Sequence, residues 1–375
     1  MRPSSIVTSP ALPARVAEPM DVGVAVGAVP PFGSMRRRVE RQATAGIASF
    51  WWPDHLVGFH SSELWSTGEL ARLQPDPNAY ADPFLCMGAC ADSVGSALVG
   101  VCVTDAVRRM PASLAQTAMT LGHLAPGRVV LGLGAGEHAN YAPYGWEVDS
   151  PAARLEAAAA QIRRLFDDGS PDERGAVLGL RPPDGSPGPQ LWVAAHGPRG
   201  YEVTGRYADG WIPNFLARDA WLEGRVAVLE AARKAGRDPS AILCGLSAQV
   251  VVAADHESAH RLLEHPILRA FALLLPPQRF VEAGSSHPLG GGGLRHLVAS
   301  KDGGGQLAAA RAVPFEVVHD YILHGTAEEV AARVQAYDGL DHAVLWDPVP
   351  LVDLDAARTS GAGVLEVAAR LGGRS

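Results

Sequence analysis

Lysine is nearly missing from this 375-residue chain: Lys234 and Lys301 stand alone, and every other basic residue of the 32 is arginine. Abundant alanine and 41 glycines accompany that scarcity, which reads as coding in a high-GC genome rather than as a functional signal. No basic run exceeds Arg36-Arg37-Arg38 and the formal charge is −8, so the footprint that neutralises a phosphate backbone is absent and nucleic acid is excluded as a partner. No apolar run is long enough to span a bilayer. Cysteine is scarce as well. Cys86 and Cys90 lie one helical turn apart, but no second Cys/His pair completes a zinc set. The four cysteines therefore read as small buried hydrophobes in a reducing cytosol, and no metal site is expected. Met1 to Pro19 lacks the basic-then-apolar order of a secretory signal. It reads as a Pro/Ala-rich disordered extension or an over-extended start, which places the protein in the cytoplasm.

What is present is core material. Hydrophobic residues make up 47% and charged residues 19%, which excludes a largely disordered chain. At about 150 residues per domain the length suggests two or three domains, yet the pattern along the chain points to one. Short apolar runs fall at Val22 to Val26, Ile47 to Trp52, Leu98 to Val103, Val129 to Leu133, Leu191 to Ala195, Trp211-Ile212, Leu243 to Ala253 and Ala343 to Trp346. Helical spacing separates them at Met35 to Ala45, Pro83 to Asp92, Pro111 to Leu124, Pro151 to Phe166, from near Gly200, at Ala220 to Ala235 and at Val330 to Tyr337. Continuous apolar strands alternating with amphipathic helices make a parallel sheet covered by helices. Eight strands are the number that closes a (β/α)8 barrel, an α/β fold of the TIM type. A doubly wound open sheet is the rival, and it lacks its nucleotide fingerprint here. The barrel is expected over residues 20–375, with a polar loop at His60 to Asp82 and an insertion at about 257–314. The insertion holds Gly290-Gly291-Gly292-Gly293 and Gly303-Gly304-Gly305. Such excursions either shape a pocket or remain flexible surface.

Residues just past the strand ends of a barrel converge on one mouth. In order they are Asp54-His55, Thr104, Glu137-His138, His196-Gly197 and Pro213-Asn214. A histidine and two carboxylates at one mouth suit acid–base chemistry. Gly132-Leu133-Gly134-Ala135-Gly136-Glu137 resembles a dinucleotide fingerprint until its last position, where Glu137 replaces the third glycine. Its glycines read as letting the backbone pass close to a flat ligand while presenting Glu137. His196-Gly197-Pro198-Arg199-Gly200 joins a strand to a helix and combines free N–H groups, glycines and one arginine, which suits a phosphate. His60, His123 and His138 read as structural.

Several longer segments carry a resemblance. Trp52-Pro53-Asp54-His55, Gly100 to Asp105, Leu114 to Leu121, Ala125 to Glu137, Pro151 to Glu156, Ala194 to Arg199 and Gly205 to Trp211 resemble motifs of the bacterial luciferase-like superfamily. The likeness runs from about Asp21 to Gly373. The Asp-His pair and the Gly-x-Gly-x-Gly-Glu form resemble the branch that uses the deazaflavin coenzyme F420. Gly100 to Arg109, Asn140 to Trp146 and His287-Pro288-Leu289-Gly290 are most similar to the phthiodiolone ketoreductases of mycobacteria.

The resemblance implies roles. His55 would lie beside C5 of the deazaflavin with Asp54 supporting it, and Glu137 would act as acid or base. A non-prolyl cis peptide at or next to Cys102-Val103 would buttress the ring. Thr104 would contact the ring or its polyol, Gly136 would lie beside Glu137 in the same coenzyme-binding turn, and His196, Gly197, Arg199 and Gly200 would bind the phosphate. The sugar-phosphate dehydrogenases of the branch carry tryptophan four residues after the histidine, where this chain has Phe59, and they use lysines that are missing here. Glucose 6-phosphate is therefore a poor substrate. The implied activity is reduction of a ketone or an activated alkene, such as a dehydroamino acid in a modified peptide, by hydride transfer from reduced F420. Lipid or secondary metabolism of an actinobacterium is the implied setting, and a homodimer the implied assembly. An FMN-dependent monooxygenase on the same fold is the alternative.

Overall fold

The first strand, β1 (Asp21–Ala25), has its three central residues buried. In the computed structural model residues 20–167, 171, 175–214, 216–301 and 305–372 are described. The expected N-terminal extension, Met1 to Pro19, lies outside the described residues, as do Gly303 and Gly304. The remaining strands are β2 (Ser49–Trp52), β3 (Leu98–Asp105), β4 (Val129–Gly134), β5 (Gln190–Val193), β6 (Gly210–Trp211), β7 (Leu243–Val252), β8 (Leu323–Gly325) and β9 (His342–Trp346). All ladders are parallel. The order β6-β5-β4-β3-β2-β1-β9-β7 closes on itself through the β6–β7 pairing. An eight-stranded parallel barrel results, made of the eight strands expected from the sequence. A ninth, β8, pairs only with the C-terminal end of β7, outside the ring.

Two layers of apolar packing hold this ring. Between strands and helices runs a large cluster that includes Val24, Phe50, Val99, Leu131, Ile162, Val228, Val330 and Val367. Inside the barrel a smaller cluster holds Trp51, Val130, Trp192, Ile212 and Val344. The two indoles, 5.4 Å apart, fill most of that interior. Glycines opposite them make the space. Gly100 pairs with Trp51 in the β2–β3 register, and a Cβ there would lie 2.6 Å from the ring. Gly210 pairs with Trp192, and its Cβ would lie 2.5 Å from that ring. Large-against-small pairing across neighbouring strands is how a small barrel fills its taper.

The helices follow the expected rhythm with shifted ends. The helix expected at Val330 to Tyr337 runs Ala327–Gln335, because Thr326 and Glu329 form a capping box that starts it earlier. Between β7 and β8 the chain folds into the short helices His256–Leu263, Pro266–Ala272, Pro277–Glu282, Leu294–Ala299, Gly305–Ala312 and Phe315–Tyr321. Their apolar faces make a separate core with Leu64 and Val349, built on Leu263, Ile267, Phe271, Phe280 and Val318. The glycine run Gly290–Gly293 is a packed turn within this unit. Gly290 and Gly293 have φ of 70° and 90°, and a Cβ on Gly292 would lie 1.9 Å from the Leu275 carbonyl oxygen.

Candidate active site

Pro53 follows β2 directly, and the chain beyond it turns across the barrel mouth. Asp54, the first carboxylate there, is buried. It accepts hydrogen bonds from the Thr104 hydroxyl (2.6 Å), Arg108 Nη1 (3.1 Å) and Arg109 Nε (2.9 Å). Arg108 is aimed by a local turn in which Asp105 accepts the N–H groups of Val107 and Arg108, and Arg108 Nε donates back to Asp105 at 2.6 Å. Arg109 also reaches Asp82 at 2.9 Å. Burial raises the Asp54 carboxyl, but the hydrogen bond from Arg109 and the charges of both arginines win and hold it below its ordinary value. Asp54 is thus an anchor that fixes the turn carrying His55; its effect on His55 runs through charge and backbone.

His55 meets Glu137, which follows β4, with Nδ1 3.2 Å from Oε2. Asn140 lies three residues further on, in the helical turn His138–Tyr141. Its amide nitrogen lies 2.8 Å from Glu137 Oε2 and 3.1 Å from His55 Nδ1. Its amide oxygen accepts the N–H groups of Leu56 (2.6 Å) and Val57 (3.0 Å). One buried side chain therefore positions both titratable groups and the loop between them. A ring proton on Nδ1 serves Glu137 and leaves Nε2 as the ring's second titratable position. Burial lowers the His55 pKa, yet the charge and hydrogen bond of Glu137 outweigh it and raise the pKa above the ordinary histidine value. Burial likewise pushes Glu137 up, and His55 and Asn140 pull it below the ordinary value. Tyr80 packs edge-on against His55 at 5.1 Å, its hydroxyl pushed up to about 12 by burial and by Glu137.

The loop after His55 is clamped from the helical unit. Gln306 Nε2 donates to the Phe59 carbonyl (2.7 Å), and its Oε1 accepts the Ser61 N–H. Lys301 Nζ donates to the Gly58 carbonyl at 2.7 Å. Phe271 packs edge-on against Phe59 at 5.7 Å. His60 beside it is sealed among Trp65 and Phe271, and burial pushes it down to about 3.

The Cys102–Val103 peptide is cis, and the β3–β4 register shifts between Val101 and Thr104. Burial pushes the Cys102 thiol up to about 12, so it is neutral at the mouth. Gly132 and Gly134 make room for β3. A Cβ on Gly132 would lie 2.1 Å from the Val101 carbonyl oxygen, and one on Gly134 2.9 Å from Val103. Gly136, at φ 89°, turns the chain towards Glu137. Thr104 is fully buried beneath Asp54. After β5, Gly197 precedes the helix Pro198–Tyr207. A Cβ on Gly197 would meet nothing within 4 Å, so no neighbouring protein atom requires glycine there. Gly200, by contrast, lets the helix approach Ala195, 2.7 Å from its would-be Cβ. Arg199 pairs at 3.4 Å with Glu156, which Arg206 also holds, so an anion at this turn competes with Glu156 for Arg199. His196 accepts the Asn214 N–H at 3.4 Å.

Sequence reasoning found His55 and Glu137 but missed Asn140, Arg108, Arg109, Tyr80 and Lys301. Asn140 follows Glu137 at a helical interval, and the arginines follow β3 directly; both intervals are readable. Lys301 and Tyr80 come from remote segments and carry no local signal.

A closed parallel barrel with a coupled histidine–glutamate pair past its second and fourth strands defines a (β/α)8 protein with a titratable pair at its mouth. Residues 11–341 match the family of luciferase-like monooxygenases, and the chain belongs to it. It is 36% identical over 301 residues to a phthiodiolone/phenolphthiodiolone dimycocerosates ketoreductase of Mycobacterium sp. (strain JLS), covering 76% of this chain and 79% of that protein. It is 32% identical over 242 residues to an F420-dependent hydroxymycolic acid dehydrogenase of Mycobacterium tuberculosis, covering 60% and 65%. An F420-dependent secondary alcohol dehydrogenase holding an F420-acetone adduct shares the fold with TM-score 0.68 at 20% identity, over 94% of this chain and 97% of that one.

Proposed function

We propose that the protein is an F420-dependent oxidoreductase that reduces a carbonyl or an activated alkene of a small molecule or modified peptide in lipid or secondary metabolism. The observation that carries this reading is the His55–Glu137 pair held by Asn140 at the barrel mouth. The ketoreductase and dehydrogenase relatives support it. The turn after β5 offers the coenzyme phosphate open space at Gly197 and the charge of Arg199, which Glu156 would release to it. When bound there, reduced F420 supplies the hydride. The chain's own part is orientation and proton handling. His55, whose protonated form Glu137 favours, would deliver a proton from Nε2 to the carbonyl oxygen, or to the α-carbon of an activated alkene, while the hydride goes to the carbonyl carbon or the β-carbon. Glu137 stabilises the imidazolium before transfer, and a proton taken up from solvent restores it afterwards, an uptake that the Glu137 charge favours. Asp54, through Arg108 and Arg109, keeps the turn rigid so that little reorganisation is left for the reaction.

Mixing the protein with reduced F420 and panels of ketones and dehydroamino acids, and following coenzyme absorbance, tests the proposal. Oxidation of the coenzyme that depends on substrate is expected. A His55→Ala, Glu137→Ala double variant should lose at least a hundredfold of it while still binding F420. Tight FMN binding with no response to F420 would replace this reading with the monooxygenase one.

A further inference from the structure

A second group of histidines lies just past the C-terminal end of β7, at the stem of the helical unit. His256 and His260 are one turn apart on the helix His256–Leu263, and His324 is the middle residue of β8. We propose that these three imidazoles form a binding site for a divalent transition metal of the zinc type, which clips together the two ends of the 256–324 excursion.

Three observations converge. One potential ligand nitrogen from each ring lies within 4.8 Å of the others. The Nε2 atoms of His260 and His324 are both buried and have no hydrogen-bond partner, and His324 is 1% exposed. Orphaned buried nitrogens cost free energy unless a ligand satisfies them. The opposite nitrogens are already held as metal sites hold them: His256 Nδ1 lies 3.1 Å from Glu329 Oε1, and His324 Nδ1 lies 2.8 Å from the Ile322 carbonyl oxygen. On His256 the carboxylate partner of Nδ1 favours the tautomer that leaves Nε2 as the metal ligand; at His324 Nδ1 the Ile322 carbonyl favours it and the Arg333 donor opposes it.

The chemistry of three neutral imidazoles suits zinc, with water or His319 in the fourth position. The His319 ring centroid is 4.5 Å from that of His324. Metal–nitrogen bonds of about 2.0–2.1 Å require the ligand nitrogens to close to roughly 3.4 Å, a movement within the reach of side-chain torsions. Arg333, 3.1 Å from His324 Nδ1, opposes a cation, and Glu329 offsets it. The sequence alone concealed this group, because His324 lies in a three-residue strand far along the chain from the helix that carries His256 and His260.

Titration of tag-free, chelator-treated full-length protein with zinc in a calorimeter tests the site. One ion per chain is expected, with affinity at least tenfold weaker in His260→Ala and in His324→Gln, and unchanged in His123→Gln. His256→Ala, on the exposed side of the cluster, covers the case in which a buried variant misfolds, and it should lose the same tenfold. Cobalt in place of zinc should give the visible bands of a four-coordinate site in the native protein and not in His256→Ala. Absence of stoichiometric zinc binding, or binding that survives the His256→Ala, His260→Ala double variant, overturns the proposal.

Discussion

His55 and His342 show how one residue type takes opposite electrostatic roles within a single barrel. At the mouth, Glu137 raises the His55 pKa, so the imidazolium persists to higher pH than that of an ordinary histidine. If protonated His55 is the acid, kcat/KM for reduction is present at low pH and falls as pH rises through that raised pKa. Replacing Glu137 with Gln removes the charge that raises it, so the falling limb should move to lower pH; a pH–rate profile of the two proteins checks this. Inside the barrel, His342 bonds Ser49 Oγ at 2.7 Å and is pushed by burial down to about 4. Its unfolded ring takes up a proton near 6.5 while the folded ring resists, so the stability it carries is present above 6.5 and is lost as pH falls towards 4. Between pH 6.5 and 5 that loss is roughly 2 kcal/mol, and His342→Gln should flatten that part of the stability profile in urea titrations. His55 and Glu137 were legible because strand ends in a barrel converge. Asn140 was legible only in principle, since nothing local states that one amide will serve both groups and two backbone N–H donors.

Strands β2 and β5 set the interior through Trp51 and Trp192, and their neighbours answer with glycine. A Gly100→Val substitution puts a branched side chain where the Trp51 ring already lies. Overpacking of this kind costs about 1–3 kcal/mol or more, which a shift in the urea midpoint should register. The strands themselves were readable as apolar runs bounded by Gly and Pro. β8 was not: Leu323–Gly325 is three residues long, with a histidine in the middle. The helices between β7 and β8 were hidden for a related reason. Runs such as Pro277–Glu282 are too short to display a 3.6-residue period, so their glycine-rich connections dominated the reading. Proline at the first turn of Pro266–Ala272 and Pro277–Glu282 was the signal available.

At the scale of the whole molecule, the helical unit is a buttress for the catalytic loop. Gln306 and Lys301 hold the backbone of Phe59, Ser61 and Gly58, immediately after His55. Gln306→Ala leaves two of those backbone groups without partners. It should lower kcat about tenfold or more by loosening His55, with little change in far-ultraviolet circular dichroism. The ring order has another consequence, this one for synthesis on the ribosome. β9 sits between β1 and β7, so Asp21 must wait for His342 and Gly245 must wait for the same residue. During translation the first strand has one neighbour, β2, and an open edge for almost the entire time the polypeptide is being made. A nascent chain arrested before Leu340 should therefore be digested readily by protease, and resistance should appear abruptly once Trp346 has cleared the exit tunnel.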